Sequence, residues 1–315
     1  MPRLARAYPG TSHVKVPADV QAAVESSLST SLDRRVKLVG ARAVGGGCIS
    51  PTARVEFEDA PTGFLKWSAP GQVVTNLFLE EARSLEALEA AGAVRVPSVT
   101  AVNERWLLLE WLEPGRANAR TWPDLGIALA QMHRNRSDAF GWLADNFIGS
   151  LPQPNGWLES WPEFWRARRL VPQLERAYSA GHFDGRDRRR FESLLARLDD
   201  ALVTAASDGP SLLHGDLWNG NVHFIRDGGA ALVDPSSYYG HREVDLGMAE
   251  LFGGFGRVFF DAYREEWPIA KGYHELRRPI YQLYYLLVHV NLFGAAYASG
   301  SRAAADAALG ALGIP

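Results

Sequence analysis

Cysteine is almost absent from the chain: Cys48 is the only one in 315 residues. A single thiol excludes an internal disulfide framework and fits a reducing compartment, so the cytoplasm is the expected location. An excess of charge of one sign is lacking as well. Lys and Arg number 33 against 36 Asp and Glu, a net charge of −3, which leaves no electrostatic footprint for nucleic acid or an anionic membrane surface. No apolar run reaches the length of about 18 residues that a membrane span needs. The longest candidate, YQLYYLLVHVNLFGAAY, is interrupted by Gln282, His289 and Asn291 and reads as a buried helix. The opening MPRLARAYPG lacks the apolar centre of a signal peptide. No internal repeat or low-complexity block is visible.

What is present suits a globular protein. With 47% hydrophobic and 22% charged residues, the chain can fill the cores of two lobes. An amphipathic helix around Asp19 to Thr30 is followed by β-like runs, RRVKLVGARAV, TARVEFE and TGFLKWS, separated by GGG and DAP turns. These read as an antiparallel meander. In TNLFLEEARSLEALEAAG, Leu77, Glu81, Leu85 and Leu88 recur at helical spacing and Gly92 supplies the stop. Two further strands, VPSVTAV and RWLLLEWLE, lead to a Pro-Gly turn, and the lobe boundary is placed near Leu112 to Gly115. The expected division is residues 1–112 and 113–315.

Beyond that turn the pattern is helical. TWPDLGIALAQMHR begins with a Thr-x-x-Asp cap, and WPEFWRARRLVPQLERAY and RDRRRFESLLARLDDALVTAA follow. The exception is SLLHGDLWNGNVHFIRDGGAALVDP, where two short hydrophobic runs bracket a polar loop and predict a β-pair with functional residues at its ends. The expected class is α+β, with a small sheet-bearing N-terminal lobe and a larger, mainly helical C-terminal one.

The polar loop carries the strongest chemical signal. His214-Gly215-Asp216 is followed five residues on by Asn221, and Asp234 ends the next hydrophobic run. Phosphoryl transfer to an alcohol needs one carboxylate to orient the hydroxyl and take its proton, and other oxygen ligands to hold Mg²⁺ on the phosphates. Asp216 fits the first part, Asn221 and Asp234 the second; a plain Asx-rich turn is the blander account. A cation for the phosphates is available in Lys66 of GFLKWS, with Glu81 on the following helix to position it. Glu80 competes for that role, but helical spacing puts Glu81 on the face shared with Leu77, Leu85 and Leu88.

Gly45-Gly46-Gly47 precedes the Lys66 strand and could let backbone amides approach phosphates, although by itself it is no more than a hairpin turn. Asp245, eleven residues after Asp234, could brace the catalytic loop through backbone N–H groups, or simply favour a helix N-terminus. Trp218 lies two residues from the proposed base, where an exposed indole would stack on a sugar ring. Tyr238, Tyr239, His241 and Arg242 follow Asp234 closely and are candidates for the acceptor site. Trp157, Trp161 and Trp165 are read as core, His133 as a helix-terminal histidine, and Cys48 as a small packing residue.

With these residues in place the chain resembles the fructosamine kinase family, also called fructosamine or ketosamine 3-kinases, a branch of the aminoglycoside phosphotransferase and choline kinase-like group. The likeness runs through GGGCIS, FLK, EEARSLEAL, LLEWLE, FGWLADNFIGSLPQPNGW, WPEFWRARRLVPQL, LLHGDLWNGN, VDPSSYYGHREVDLGMAELFGGF and YQLYYLLVHVNLFG. It implies a two-lobed protein-kinase-like fold, ATP and Mg²⁺ as cofactors, and transfer to the 3-hydroxyl of a ribulosamine or fructosamine, small or protein-linked, in deglycation repair. It further implies Asp216 as base, Asn221 and Asp234 as metal ligands, Lys66 and Glu81 as the nucleotide-positioning pair, and Glu110, Trp111 and Leu112 as the hinge against adenine. Two departures stand out. Ser50 replaces the Asn common after the glycine-rich turn, and Asp234 is followed by Pro-Ser where protein kinases carry Phe-Gly. A kinase for another alcohol, such as an aminoglycoside or a choline-like amine, and a nucleotide-binding pseudokinase are the competing readings.

Overall fold

The computed structural model of the protein describes residues 12–45 and 50–314. Helix α1 (Ala18–Leu32) packs Val20, Val24 and Leu28 onto a five-stranded antiparallel sheet. The sheet is built from β1 (Lys37–Ala43), β2 (Thr52–Glu58) and β3 (Gly63–Trp67), then, after α2 (Leu77–Ala91), from β4 (Val99–Asn103) and β5 (Trp106–Glu110). Its order is β1-β2-β3-β5-β4, so β3 is the central strand. Alternation of side chains across the strands divides the sheet's apolar residues between two cores. Ala53, Val55, Leu65 and Leu108 face α1 in a small cluster. Leu107 and Leu109 join Phe78, Leu85 and Leu88 of α2 in the cluster that fills the rest of the molecule. The predicted meander and helix are therefore present, and α2 ends at Gly92 in the left-handed conformation, φ +69°, which glycine adopts without steric cost.

The connection after β5 crosses to the helical lobe at Gly115, where its N–H donates to Phe224 O at 2.8 Å. A Cβ there would lie 1.9 Å from Ile225 O, so only glycine permits the approach. Then come α3 (Thr121–His133), the hairpin β6 (Asn146–Ile148) and β7 (Leu151–Gln153), α4 (Trp161–Phe164), a π-helical stretch Trp165–Leu170, and α5 (Val171–Ser179). The single long helix expected over this last segment is thus widened at its centre. Pro172, with no N–H to donate and a ring that crowds the preceding turn, favours the wider register. The Thr-x-x-Asp cap also differs from expectation. Thr121 is the first residue of α3, and Asn118 Oδ1 takes the N–H groups of Arg120 and Thr121 instead.

Helices α6 (Gly185–Leu195) and α7 (Leu198–Ala206) precede four three-residue strands, β8 (Ser211–Leu213), β9 (Val222–Phe224), β10 (Ala230–Leu232) and β11 (Tyr238–Gly240). The runs flanking the polar loop do not pair with each other as predicted: β8 pairs with β11, and β9 with β10. Strands this short carry no register information of their own, and tertiary packing decides the partner. The chain closes with α8 (Glu243–Leu251), α9 (Arg257–Glu266), a second π-helical turn Tyr273–Arg277, α10 (Arg278–Phe293) and α11 (Ala298–Ala311). Helix α10 is the buried apolar segment anticipated above, and no described helix is long and apolar enough to cross a membrane.

Candidate active site

Lys66 is buried on the central strand, with β2 and β5 as neighbours. Its ammonium donates to Glu81 Oε1 at 2.6 Å and to Asp234 Oδ1 at 2.5 Å. Burial alone would lower the lysine's pKa, but the two carboxylates outweigh it and hold it above its ordinary value. Burial raises the Glu81 carboxyl, with Lys66 opposing and Asp234 reinforcing the rise. The neighbouring Glu80 points elsewhere: it pairs with Arg83, and its Oε2 has no partner. Glu81, not Glu80, meets the lysine.

Below this triad, the loop between β8 and β9 is fixed by groups from four separate elements. Asp245, on the first turn of α8, accepts the N–H of His214 at 2.8 Å and of Gly215 at 2.9 Å. His133, the last residue of α3, reaches the same carboxylate through Nε2 at 3.1 Å while Nδ1 meets Tyr263 Oη at 2.8 Å. The histidine is wholly buried, and burial holds its pKa below the usual value. A neutral ring that donates to Asp245 and accepts from Tyr263 satisfies all three groups. Its role is therefore a buried hydrogen bond rather than the helix-end charge expected from its position. The His214 ring, also lowered by burial, accepts Asp216 N–H on Nδ1 and faces Val233 O through Nε2 at 3.0 Å. Tyr285 of α10 donates to Gly215 O at 2.8 Å. Gly215 itself has φ +83°, and a Cβ would meet Ser236 O at 2.1 Å, which joins the loop tightly to the segment after Asp234.

Asp216, Asn221 and Asp234 converge on one cavity of about 190 Å³, which Lys66 and Glu81 also line. Asn221 Nδ2 donates to Asp216 O at 2.9 Å and Oδ2 at 3.1 Å. Burial pushes the Asp216 carboxyl up to about 7; the Asn221 hydrogen bond opposes the shift and the charges of Asp234 and Asp245 add to it. That value suits a group that must take a proton near neutral pH. Asp234 has φ +56°, a left-handed conformation rare for a residue with a Cβ and concentrated at functional positions. With both Asn221 amide hydrogens used on Asp216, its Oδ1 is left for a cation, and the Asp234 carboxylate is 41% exposed. One amide oxygen and one carboxylate are hard oxygen donors in the small number that Mg²⁺ takes from protein when phosphates and water complete its shell, so these residues fit that ion.

Other expected site residues fall differently. Trp218 lines the cavity but is half-buried rather than exposed, its indole lying over Gly220. His241 and Arg242 are 1% exposed and do not line the cavity. His241 meets Asp208 and Tyr281, and Arg242 donates to Asp208 at 2.9 Å and to Pro268 O at 2.7 Å. A charge this deep is kept only with partners, so the pair belongs to the interior of the helical lobe and not to an acceptor surface. Tyr239 packs against Trp142 and Trp157, also away from the lining, and Trp157, expected in the core, is 44% exposed. Glu110 is turned to Arg95 and Ser98, Trp111 packs on Phe64, and Leu112 O accepts from His223 at 3.0 Å; none of the three lines this cavity. Ser50 does line it, and Gly45 sits in a bend at the edge of the described chain. Gly46, Gly47 and Cys48 lie outside the described residues.

The role of the β6–β7 hairpin is not among the expectations drawn from the sequence. Asn146 Nδ2 donates to Ser237 O at 2.9 Å, Gln153 Nε2 to Asn146 Oδ1 at 2.8 Å, and Tyr284 Oη to Gln153 Oε1 at 2.6 Å. These wholly buried amides anchor the segment after Asp234, while Phe147, Ile148 and Gly149 reach into the cavity. The available signal was three amides, Asn146, Gln153 and Asn155, within an otherwise apolar run that lacks helical spacing.

The chain is similar to known proteins over most of its length. A protein of Synechocystis assigned as a ketoamine kinase is 36% identical over 280 residues, covering 87% of this chain and 92% of its own. A chloroplastic protein-ribulosamine 3-kinase of Oryza sativa subsp. indica is 35% identical over 283 residues, 87% of this chain and 80% of its own. The crystal structure of a protein of Thermobifida fusca assigned as a fructosamine-3-kinase superposes with a TM-score of 0.80 at 36% identity, covering 91% of this chain and 98% of that one. The two-lobed kinase-like architecture is therefore shared. The fructosamine kinase profile matches residues 20–310, and the chain belongs to the fructosamine kinase family.

Proposed function

We propose that this protein is an ATP-dependent kinase that phosphorylates the 3-hydroxyl of ribulosamine- or fructosamine-type ketosamines, free or protein-linked, and acts in the cytoplasm in deglycation. The observation that carries the reading is the convergence of Asp216, Asn221, Asp234 and the Lys66–Glu81 pair on one cavity. In this reading residues 1–112 hold the nucleotide and residues 113–315 supply the base and the acceptor surface.

Each side chain then has a defined task. Lys66, oriented by Glu81, binds the nucleotide's phosphates. Asn221 and Asp234 would hold Mg²⁺, which would neutralise charge on the phosphates. The Asp216 carboxylate orients the acceptor hydroxyl and takes its proton as the new oxygen–phosphorus bond forms and ADP leaves. The main chain of Glu110, Trp111 and Leu112, at the end of β5, is assigned as the hinge on the adenine side, and the glycine-rich turn that begins at Gly45 is assigned to the phosphate side. His214 and Asp245 keep the loop in register.

Incubation with Mg-ATP and a ribulosamine or fructosamine tests the proposal, with ADP release as readout and phosphorus NMR to place the new ester. Release coupled to a 3-phosphate is the expected result. No release with any ketosamine refutes it, and turnover of an aminoglycoside or choline-like amine alone would assign the site to another alcohol.

A further inference from the structure

Beyond Asp216, one wall of the cavity is formed by the last turns of α10, through Tyr285, Val288, His289, Leu292 and Phe293. His289 lies at the centre of an aromatic cluster there. The ring centroids of Phe252, Tyr297 and Phe293 are 4.6, 4.9 and 5.5 Å from its own. Phe252 and Phe293 are 40% and 56% exposed. Large aromatic side chains that stay in water beside a catalytic cavity mark a surface that gains by being covered.

The polar groups of the cavity narrow down what covers it. Its carboxylates are Glu80, held by Arg83; Glu81 and Asp234, held by Lys66; and Asp216 at the reacting hydroxyl. The lining residues of α10 include no carboxylate. His289 Nδ1 lies 2.8 Å from Tyr285 O, which can only accept, so Nδ1 carries the hydrogen and Nε2 the lone pair. Burial lowers the pKa of this ring against the pull of that hydrogen bond, and the neutral form prevails at neutral pH.

A ketosamine carries a secondary amine between its sugar and its substituent, and such an amine is protonated at neutral pH. A cation joined to an apolar group suits this wall, whose π faces attract the cation and cover the apolar group while one imidazole lone pair is free to accept an N–H. We propose that His289, Phe252, Phe293 and Tyr297 form the subsite for the acceptor's ammonium and its apolar or aromatic substituent: the rings cover the substituent, and His289 Nε2 accepts from the ammonium. This assignment rests on the ketosamine reading and specifies which part of that substrate α10 selects.

The test uses the full chain, Mg-ATP and three ribulosamines that share one sugar and differ in the amine: benzylamine, butylamine and glycine. The expected order of kcat/KM is benzylamine, butylamine, glycine, with the differences in KM. Phe293→Ala and Phe252→Ala raise KM for the benzylamine adduct about tenfold, the value of one contact between two aromatic rings, and leave the glycine adduct, which has the ammonium but no ring, within about twofold. His289→Phe, which keeps a ring and removes the lone pair, raises KM for all three without changing their order. Equal losses across the series in the phenylalanine variants, or no change in any KM, overturn the subsite while leaving the kinase reading intact. A wild-type protein that turns over none of the three refutes both.

Discussion

The two walls of the active site are held by opposite physics. On the sheet side, Lys66 is fixed by charge: two carboxylates from different elements share one ammonium. On the helical side, the loop that carries Asp216 is fixed mostly by buried hydrogen bonds to Asp245, His133 and Tyr285, with neutral histidines as intermediates. Charge pairs can exchange partners when phosphates and a metal arrive, whereas buried hydrogen-bond networks tolerate no vacancy. In the proposed mechanism the difference assigns adaptability to the wall that would hold the nucleotide and rigidity to the wall that would take the proton.

Variants can break this contrast in measurable steps. Removing the base should have the largest effect: Asp216→Asn is expected to lower kcat about 10³–10⁴-fold with an unchanged thermal midpoint, and retained turnover would place the base elsewhere. Asp245→Ala strands three buried donors, so the helical wall should lose about 3–5 kcal/mol of stability in urea unfolding. A loss under about 1 kcal/mol would mean that the network is dispensable. On the opposite wall, Lys66→Met should reduce kcat/KM for ATP by roughly 10²–10³ at a smaller cost to folding than Asp245→Ala, since Glu81, whose carboxyl burial already raises, can take up a proton once the ammonium is gone. If Lys66→Met unfolds the protein instead, the proposed division of labour is wrong.

A pH profile sharpens the comparison further. The Asp216 carboxyl, raised to about 7, works only when deprotonated. The expected kcat/KM for the acceptor is therefore flat above that value and falls about tenfold per pH unit below it; a profile flat down to pH 5 would contradict the assignment. The smallest effect is expected from His133→Gln. Its amide can still donate to Asp245, and the change should cost no more than about 1 kcal/mol, read as a small shift in the urea midpoint with kcat unchanged.

Much of this site was legible in the chain because its parts are local or consecutive. Lys66 on a strand, Glu81 one turn into a helix that Gly92 stops, and the spacing of Asp216, Asn221 and Asp234 depend on periodicity and on residues close in sequence. What the sequence hid is non-local. His133 meets Asp245 across 112 positions, and Asn146 meets Ser237 across 91; no periodicity records such pairings. His241 and Arg242 misled for a related reason. Proximity to Asp234 in sequence suggested proximity to the substrate, but β11 carries the chain away from the cavity and into pairing with β8. The pairing of β8, β9, β10 and β11 was equally hidden, since three residues alternate too briefly to name a partner.

Tyr284 and Tyr285 are consecutive residues of α10, so their side chains leave the helix about 100° apart. One holds Gln153 of the hairpin behind Asp234, and the other holds Gly215 beside the base. A single rigid rod thus sets the separation between the segment behind Asp234 and the loop that carries Asp216, and one turn further along it lines the cavity through His289. In the proposed kinase, acceptor choice and reaction geometry are marks on the same ruler, and a substitution that tilts α10 is expected to move both at once.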